Sequence, residues 1–223
     1  MQTIRTNTLR WCLGGLAAVV LAACSNLPKP PQTAVRYDLG APPSLLAAAQ
    51  PLQPVALAQM QAPLQADGST AVRYRLAYAD AQVLHAYTQA RWSLEPAAMV
   101  QQRLREHLSQ GGRAVLSGEA GELPPSVQGR QVPVLRLALE EFSQVFSSTE
   151  NSAGAVRVRA TLVDPAAQGD VLLAQRVFAV QQPAAAANAS AGVQALSLAV
   201  DNVGQQLVQW IDAVAVPAAS ARR

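Results

Sequence analysis

The clearest fold signal lies near the end of the chain, where residues 193–214 read VQALSLAVDNVGQQLVQWIDAV. Apolar residues recur there at alternating steps of three and four, which is the spacing of one face of an α-helix. This stripe predicts a helix from about Ser190 to Ala213. Either a sheet or a partner helix would bury such a stripe, and we favour the sheet because the strands predicted upstream need a cover. The stripe consists of Val193, Leu196, Val200, Val203, Leu207, Trp210 and Val214.

Three long strands are predicted immediately before this helix. Residues 135–139 and 156–162 alternate between apolar and polar side chains, which is the pattern of a half-buried strand, and the third strand covers residues 171–180. The alternation changes phase at Glu140 and Glu141. We therefore expect a β-bulge or bend at these two glutamates.

Shorter elements precede the three strands. A helix that begins at Pro96 and stops at the Gly111-Gly112 pair has one apolar face. Together the elements predict an α/β fold, with a mixed, largely antiparallel sheet flanked by two main helices in a three-layer-like sandwich within a single domain. The shorter strands are predicted at residues 35–39, 55–59 and 114–117, with a β-hairpin formed by residues 71–77 and 83–91.

Composition excludes several classes of function. The 223 residues are 50% hydrophobic but only 14% charged, which does not fit a disordered chain and suits one medium-sized domain. The 17 basic and 14 acidic residues are too balanced for a nucleic-acid-binding protein. Two cysteines and two histidines leave almost no ligands for a zinc or iron–sulfur site and exclude a disulfide framework. We therefore expect no metal, no cofactor and no nucleic-acid partner.

The first 24 residues show the order of segments of a secretory signal. Arg5 and Arg10 are followed by an uncharged, largely apolar run, residues 11–20, which is too short to span a bilayer as a helix. The run ends in Leu-Ala-Ala-Cys at residues 21–24, which resembles the bacterial lipobox. The alternative is an apolar N-terminal helix with a buried cysteine. We expect instead that residues 1–23 are removed and that the Cys24 thiol is lipidated.

This processing predicts the organisation of the mature chain. Residues 24–34 contain three prolines and form a lipidated, extended tether, 35–215 form the domain, and 216–223 form a flexible tail. In lipoproteins that resemble this pattern, Asp directly after the lipidated cysteine favours retention in the inner membrane. This chain has Ser25 at that position, which predicts that the protein lies on the periplasmic face of the outer membrane. Loss of the signal leaves 15 basic against 14 acidic residues.

The order of several motifs resembles the ABC-type transport auxiliary lipoprotein family, the PqiC-like group. The resemblance covers residues 35–213 and implies an α/β domain that works in the periplasm beside an ABC or MCE-type lipid transport system linking two membranes. No catalytic residues come with the family. Besides the lipobox, the motifs are Tyr37-Asp38-Leu39, Tyr74-Arg75-Leu76, the strand end from Tyr87 to Trp92, Leu104-Arg105 and Trp210 in the last helix.

Groups with catalytic chemistry are few and are not arranged as in known enzymes. His85 is predicted in a strand and His107 on the first helix, but Ser93 and Ser109 lack a nucleophile elbow. The adjacent glutamates at the phase change are expected to point to opposite faces of their strand, which excludes a glycosidase pair. The sequence therefore predicts a protein that is not an enzyme.

Four residues stand out as surface candidates, and a fifth, Tyr74, lies on the same hairpin as two of them. Tyr74 shares the apolar phase of its strand and is expected in the core. Tyr87 and Trp92 are candidates for a partner-facing or lipid-facing edge, with core packing as the alternative, since amphipathic rings favour interfaces. Arg157 and Arg159 share one face of a strand. They form either a solvated sheet face or a contact for an acidic partner.

The function these observations favour is that of an outer-membrane-anchored periplasmic lipoprotein, a non-enzymatic auxiliary of an ABC/MCE-type lipid transport system. The expected partners are the membrane, an MCE-domain protein and the ABC permease and ATPase, with a homo-oligomer also conceivable. One alternative is a lipid carrier that holds an acyl chain between the sheet and the C-terminal helix. Another is an envelope hydrolase that uses Ser93 or His85.

Overall fold

The computed structural model describes residues 33–41, 52–63, 68–118, 125–166 and 169–215. The predicted signal, Cys24, nearly all of the tether and the tail from residue 216 lie outside these residues. The predictions made for them stay predictions.

Within the described residues, ten strands and two α-helices follow one another, with a 3-10 turn at Gln110–Gly112 after the first helix. The elements are β1 Val35–Tyr37, β2 Val55–Leu57, β3 Ala71–Leu76, β4 Asp80–Trp92, α1 Pro96–Ser109, β5 Val115–Ser117, β6 Ser126–Val127, β7 Arg130–Gln131, β8 Val134–Phe146, β9 Ser152–Asp164, β10 Val171–Pro183 and α2 Ala189–Ala215.

Strand β8 organises the main sheet. Along one edge it pairs with β9 in antiparallel fashion over its whole length, and β9 pairs in the same way with β10. Along its other edge β8 pairs in parallel with β2 near its start and with β3 near its end. The three long strands predicted from the sequence thus form one antiparallel meander, to which the shorter strands are added.

The shorter strands extend the sheet beyond β8. β3 and β4 form the predicted antiparallel hairpin, and its turn covers residues 77–79 because β4 already begins at Asp80. β1 lies beside β4 in parallel, with Val35 opposite Ala90, and β5 lies beside β2 in parallel. β6 and β7 form a separate two-stranded sheet.

Helix α2 covers the sheet with its apolar stripe, as the sequence predicts. Leu196, Val200, Val203 and Leu207 are fully buried in the same core as the inward side chains of β8 and β9. Helix and sheet come very close at Gly154 of β9, where a Cβ atom would lie 2.5 Å from the backbone nitrogen of Leu196. Only glycine allows this approach.

The predicted fold class is confirmed: a mixed α/β sheet with two helices in one domain. The expected bulge is confirmed as well, because the β8–β9 register shifts between Leu139 and Glu141. The first helix begins at Pro96 as predicted and ends at Ser109, just before the glycine pair.

Candidate functional site

A cluster of rings lies where the β3–β4 hairpin meets the end of β8; we call Tyr74, His85, Tyr87 and Phe146 the aromatic cluster. Tyr74 is its centre, with ring centroids 5.1 Å from His85, 4.6 Å from Tyr87 and 5.8 Å from Phe146. Tyr74 and His85 are direct cross-strand partners, which explains their stacking. Phe146 is buried, whereas the other three rings are only partly covered.

The Tyr87 hydroxyl anchors this cluster to the interior. It donates a hydrogen bond of 2.9 Å to Oε1 of the fully buried Gln144, whose Nε2 donates to Ser152 Oγ at 2.7 Å. Gly192 of α2 lies against the same amide, since a Cβ there would be 2.0 Å from Gln144 Oε1. Burial, and then the neighbouring Tyr74, raise the pKa of Tyr87 to about 12. The Tyr87 phenol therefore stays neutral at physiological pH and acts as a hydrogen-bond donor.

We expect Tyr87→Phe to lower the free energy of unfolding by about 1–3 kcal/mol, because the buried Gln144 oxygen loses its donor. The raised pKa of Tyr87 also predicts a pH dependence. Its contribution is complete below pH 10, the ordinary tyrosine value, and is lost as the pH rises to about 12, because the unfolded chain ionises first. Urea unfolding of both proteins between pH 8 and 12 should therefore show a smaller alkaline loss for the variant. Equal losses would contradict the assignment.

Trp92 is a core residue. Its side chain is 1% exposed, and its ring centroid lies 5.2 Å from that of Phe142. Of the two rings considered for a partner-facing or lipid-facing edge, only Tyr87 is partly accessible in this structure. Trp92 alternates on the inward face at the end of β4, together with Ala90. Trp92 therefore fits the alternative interpretation, in which its ring packs in the core.

Arg157 and Arg159 lie on the sheet face opposite the core and share one carboxylate. Arg157 Nε donates to Glu140 Oε2 at 2.8 Å, and Arg159 Nε donates to Glu140 Oε1 at 2.7 Å. The hydrogen bond from Arg157, followed by that from Arg159 and the charges of both, holds the pKa of the Glu140 carboxyl below its usual range despite some desolvation. Both arginine side chains remain about half exposed. The two arginines are thus paired with Glu140 and remain accessible as a positively charged surface.

The two glutamates of the bulge lie on the same face, so the expectation of opposite faces is wrong. Glu140 contacts Arg157 and Arg159, while Glu141 contacts Arg75 Nη2 at 3.3 Å, and all three arginines extend from the outer face. The bulge between Leu139 and Glu141 is the cause, since it cancels one step of alternation. A glycosidase would need one carboxyl with a raised pKa, whereas the pKa of Glu140 is lowered.

The groups considered for catalysis have structural contacts instead. Ser109 Oγ donates to the carbonyl of Arg105 in its own helix, and Ser93 Oγ lies 3.6 Å from Met99 Sδ. His85 stacks on Tyr74. His107 lies on α1 as predicted and is buried, and its Nε2 lies 2.9 Å from Asp201 Oδ1 of α2. Among the described residues, no group of three or more His, Cys, Asp and Glu is placed to hold a metal ion.

Sequence reasoning missed a buried arginine, Arg103, that joins three segments. Its guanidinium donates to the carbonyls of Leu39 at 2.5 Å and of Gly40 and Ala41 at 2.7 Å, and it lies 3.5 Å from Asp201. We call Arg103, His107 and Asp201 the latch. Its spacing in the sequence could have indicated the burial. Arg103 follows Val100 by three residues and directly precedes Leu104, so it belongs to the apolar face of α1.

One open groove borders α2, next to the residues that follow β1. It has a volume of about 550 Å³, and Tyr37, Leu39, Val193, Leu198 and Asp201 are among the residues that line it. The space between the sheet and α2 is instead filled by the buried stripe of the helix. Neither helix in the described ranges contains a stretch with the length and hydropathy of a membrane span.

Comparisons with known proteins agree with this architecture. The family model described as "ABC-type transport auxiliary lipoprotein component" matches residues 37–208. No curated protein gives a match.

Two solved structures share the fold. A crystal structure of a protein from Xanthomonas campestris is 18% identical with a TM-score of 0.60, and the match covers 81% of this chain and 96% of that one. A crystal structure of an uncharacterised protein is 14% identical with a TM-score of 0.58, over 81% of this chain and 99% of the other. At these identities the likeness shows the fold alone.

Proposed function

Because the chain belongs to the ABC-type transport auxiliary lipoprotein family, we propose that it is a non-enzymatic auxiliary lipoprotein of an ABC/MCE-type lipid transport system. In this proposal Cys24 carries the lipid, and the domain stands on the periplasmic face of the outer membrane. The observation that carries the proposal is the family match across nearly the whole described domain, from residue 37 to residue 208.

Several observations support an auxiliary rather than a catalytic role. The serines and histidines that would carry catalysis hold helices and rings together, as their contacts show. The sequence has no phosphate-binding loop with Lys and Ser or Thr, so ATP hydrolysis has to come from the transporter's own ATPase. In this role the domain acts through its surface, by binding and positioning other components of the transport system.

The packing of α2 favours an adaptor over a lipid carrier. A carrier that held an acyl chain between sheet and helix would need an apolar cavity there. Gly154 brings the α2 backbone into contact with β9, and the stripe of α2 is buried except for Val214 at its end, which is partly buried. Opening this interface would cost most of the core. Native mass spectrometry of the purified domain tests the choice, because a carrier retains phospholipid and an adaptor gives the mass of the protein alone.

We propose that the partner-facing side includes Arg157 and Arg159 and meets an acidic surface of the MCE-domain protein. We expect Arg157→Glu to weaken binding to the purified periplasmic part of that protein about tenfold, or about 1.4 kcal/mol. Reversal of one exposed charge adds repulsion where attraction is lost, and the effect should shrink as salt is raised. Binding is measured by surface plasmon resonance at two salt concentrations.

Arg130→Glu is the matched control for this experiment. It makes the same charge change at an exposed residue of the separate β6–β7 sheet. Affinity should stay close to that of the natural protein. Equal weakening by both variants would mean that net charge, and not this face, controls binding, and no weakening by Arg157→Glu would remove the face from the proposal.

A further inference from the structure

One face of α1 is polar and borders a second groove. Ala98, Gln101, Gln102 and Arg105 are spaced so that their side chains project on the same side of the helix, away from its apolar face. Together with Gln59, which follows β2, they line a groove of about 480 Å³. All five residues are small or polar, so the groove suits a polar ligand.

Arg105 gives this groove a positive charge, and no carboxylate in the described part of the chain pairs with it. Its side chain is partly buried and makes a long hydrogen bond of 3.4 Å from Nη1 to the carbonyl of Val115. The acidic residue of α1, Glu106, is engaged elsewhere: it lies 3.8 Å from Arg103 and accepts a hydrogen bond of 3.2 Å from Gln102. Most of the five donors of the Arg105 guanidinium are therefore free for a ligand.

The amide of Gln101 is fixed with its donor group available. The backbone N–H of Met60 donates a hydrogen bond of 2.7 Å to Gln101 Oε1. Because a backbone N–H needs an acceptor, this contact identifies the amide oxygen and leaves the two N–H groups of Nε2 for a ligand. Gln102 is used in the opposite sense, since its Nε2 donates to Glu106 and its oxygen stays available. The groove thus offers several donors around a guanidinium, with an acceptor beside them.

This set of groups matches an acidic peptide. A carboxylate accepts two hydrogen bonds from the fork of an arginine, and such charge-assisted bonds are about twice as strong as neutral ones. The free donors of Gln101 match a peptide carbonyl, and the oxygen of Gln102 matches a peptide N–H. A phospholipid fits less well, because its acyl chains would meet no large apolar side chain among the residues that line the groove.

We propose that this groove on α1 binds an extended segment of a partner protein through an acidic side chain that pairs with Arg105. The site is separate from the surface formed by Arg157 and Arg159. The apolar side of α1 packs into the core on one face of the sheet, whereas those two arginines extend from the other face. Two acidic partner segments can therefore be bound at once. This inference goes beyond the proposed function and does not need the lipidation of Cys24.

Protein-observed NMR of the ¹⁵N-labelled full chain in detergent tests the site. The probes are two synthetic peptides blocked at both ends, acetyl-Ala-Glu-Ala-Glu-Ala amide and the matched peptide with Gln in place of Glu. We expect the acidic peptide to shift the backbone signals of α1 and the side-chain N–H signals of Gln101. It should bind at least about tenfold more tightly than the neutral peptide. Inorganic phosphate, the third probe, should bind more weakly than the acidic peptide.

Two variants separate the charge from the space. Arg105→Gln removes the charge and should weaken binding of the acidic peptide at least about tenfold, to the level of the neutral one. Ala98→Leu keeps the charge but fills the groove from an exposed helix position where leucine is well tolerated, so it should weaken both peptides. Arg130→Gln is the matched control, because it removes an exposed charge from the separate β6–β7 sheet, and it should leave binding unchanged.

Several results would overturn the site. The acidic peptide would then cause no shifts on α1, or it would bind no better than the neutral one. Equal weakening by Arg105→Gln and Arg130→Gln would show an effect of net charge rather than of the groove. Phosphate that bound as tightly as the acidic peptide would assign the groove to phosphate groups and not to a protein segment.

Discussion

Cys24→Ser is expected to abolish lipid attachment and to release the protein from the membrane. The thiol is the nucleophile that forms the thioether to the lipid, and a serine hydroxyl does not replace it. Each buried CH₂ of an acyl chain contributes about 0.8 kcal/mol to membrane binding, so several chains hold a protein durably and their loss is close to all-or-none. Labelling with radioactive palmitate and membrane fractionation measure the two effects.

Two further variants isolate the cause. Cys12→Ser makes the same chemical change at the other cysteine, inside the predicted signal, and should leave both palmitate labelling and location unchanged. Ser25→Asp should keep the label but move the protein to the inner membrane, because the residue after the lipidated cysteine directs sorting. Undiminished labelling of Cys24→Ser would disprove the anchor and with it the membrane part of the proposed function.

The sequence predicted the fold well where one physical signal dominated. The α2 stripe could be buried only against a sheet or a helix, and the structure buries it on β8, β9 and β10. The phase change at Glu140 located the bulge because a strand that keeps its apolar residues inward has to absorb the extra residue. The order of β2, β3 and β8 in the sheet was not predictable, since it depends on parallel pairings between residues far apart in the chain.

The candidate surfaces were predicted less well because their properties come from neighbours. Trp92 and Tyr87 look alike in sequence, but packing against Phe142 buries the first, while a hydrogen bond to Gln144 fixes the second at the edge. Glu140 and Glu141 were expected on opposite faces from simple alternation, but the bulge adds one residue and places both on one face. Arg103 was missed because a charged residue on an apolar helix face normally counts as an interruption.

Replacement of that arginine, Arg103→Met, is expected to lower the free energy of unfolding by about 3–5 kcal/mol, because three carbonyl groups lose a charged donor whose side chain is buried. Methionine fills much of the space but donates nothing. The carbonyls of Leu39, Gly40 and Ala41 then lose their donor, and Asp201 keeps its contact with His107. Urea denaturation, with Arg103→Lys as an intermediate variant that keeps the charge but not the fork of donors, measures the loss.

Arg105→Met, two residues further along α1, makes the same change at a partly exposed arginine whose contact is a long hydrogen bond of 3.4 Å to the carbonyl of Val115. Its effect should stay within about 1 kcal/mol, as for other exposed charges. Similar losses for the two variants would show that the latch adds nothing specific. A selective loss at Arg103 would show that the latch stabilises the domain by tying the segment just after the three-residue strand β1 to both helices.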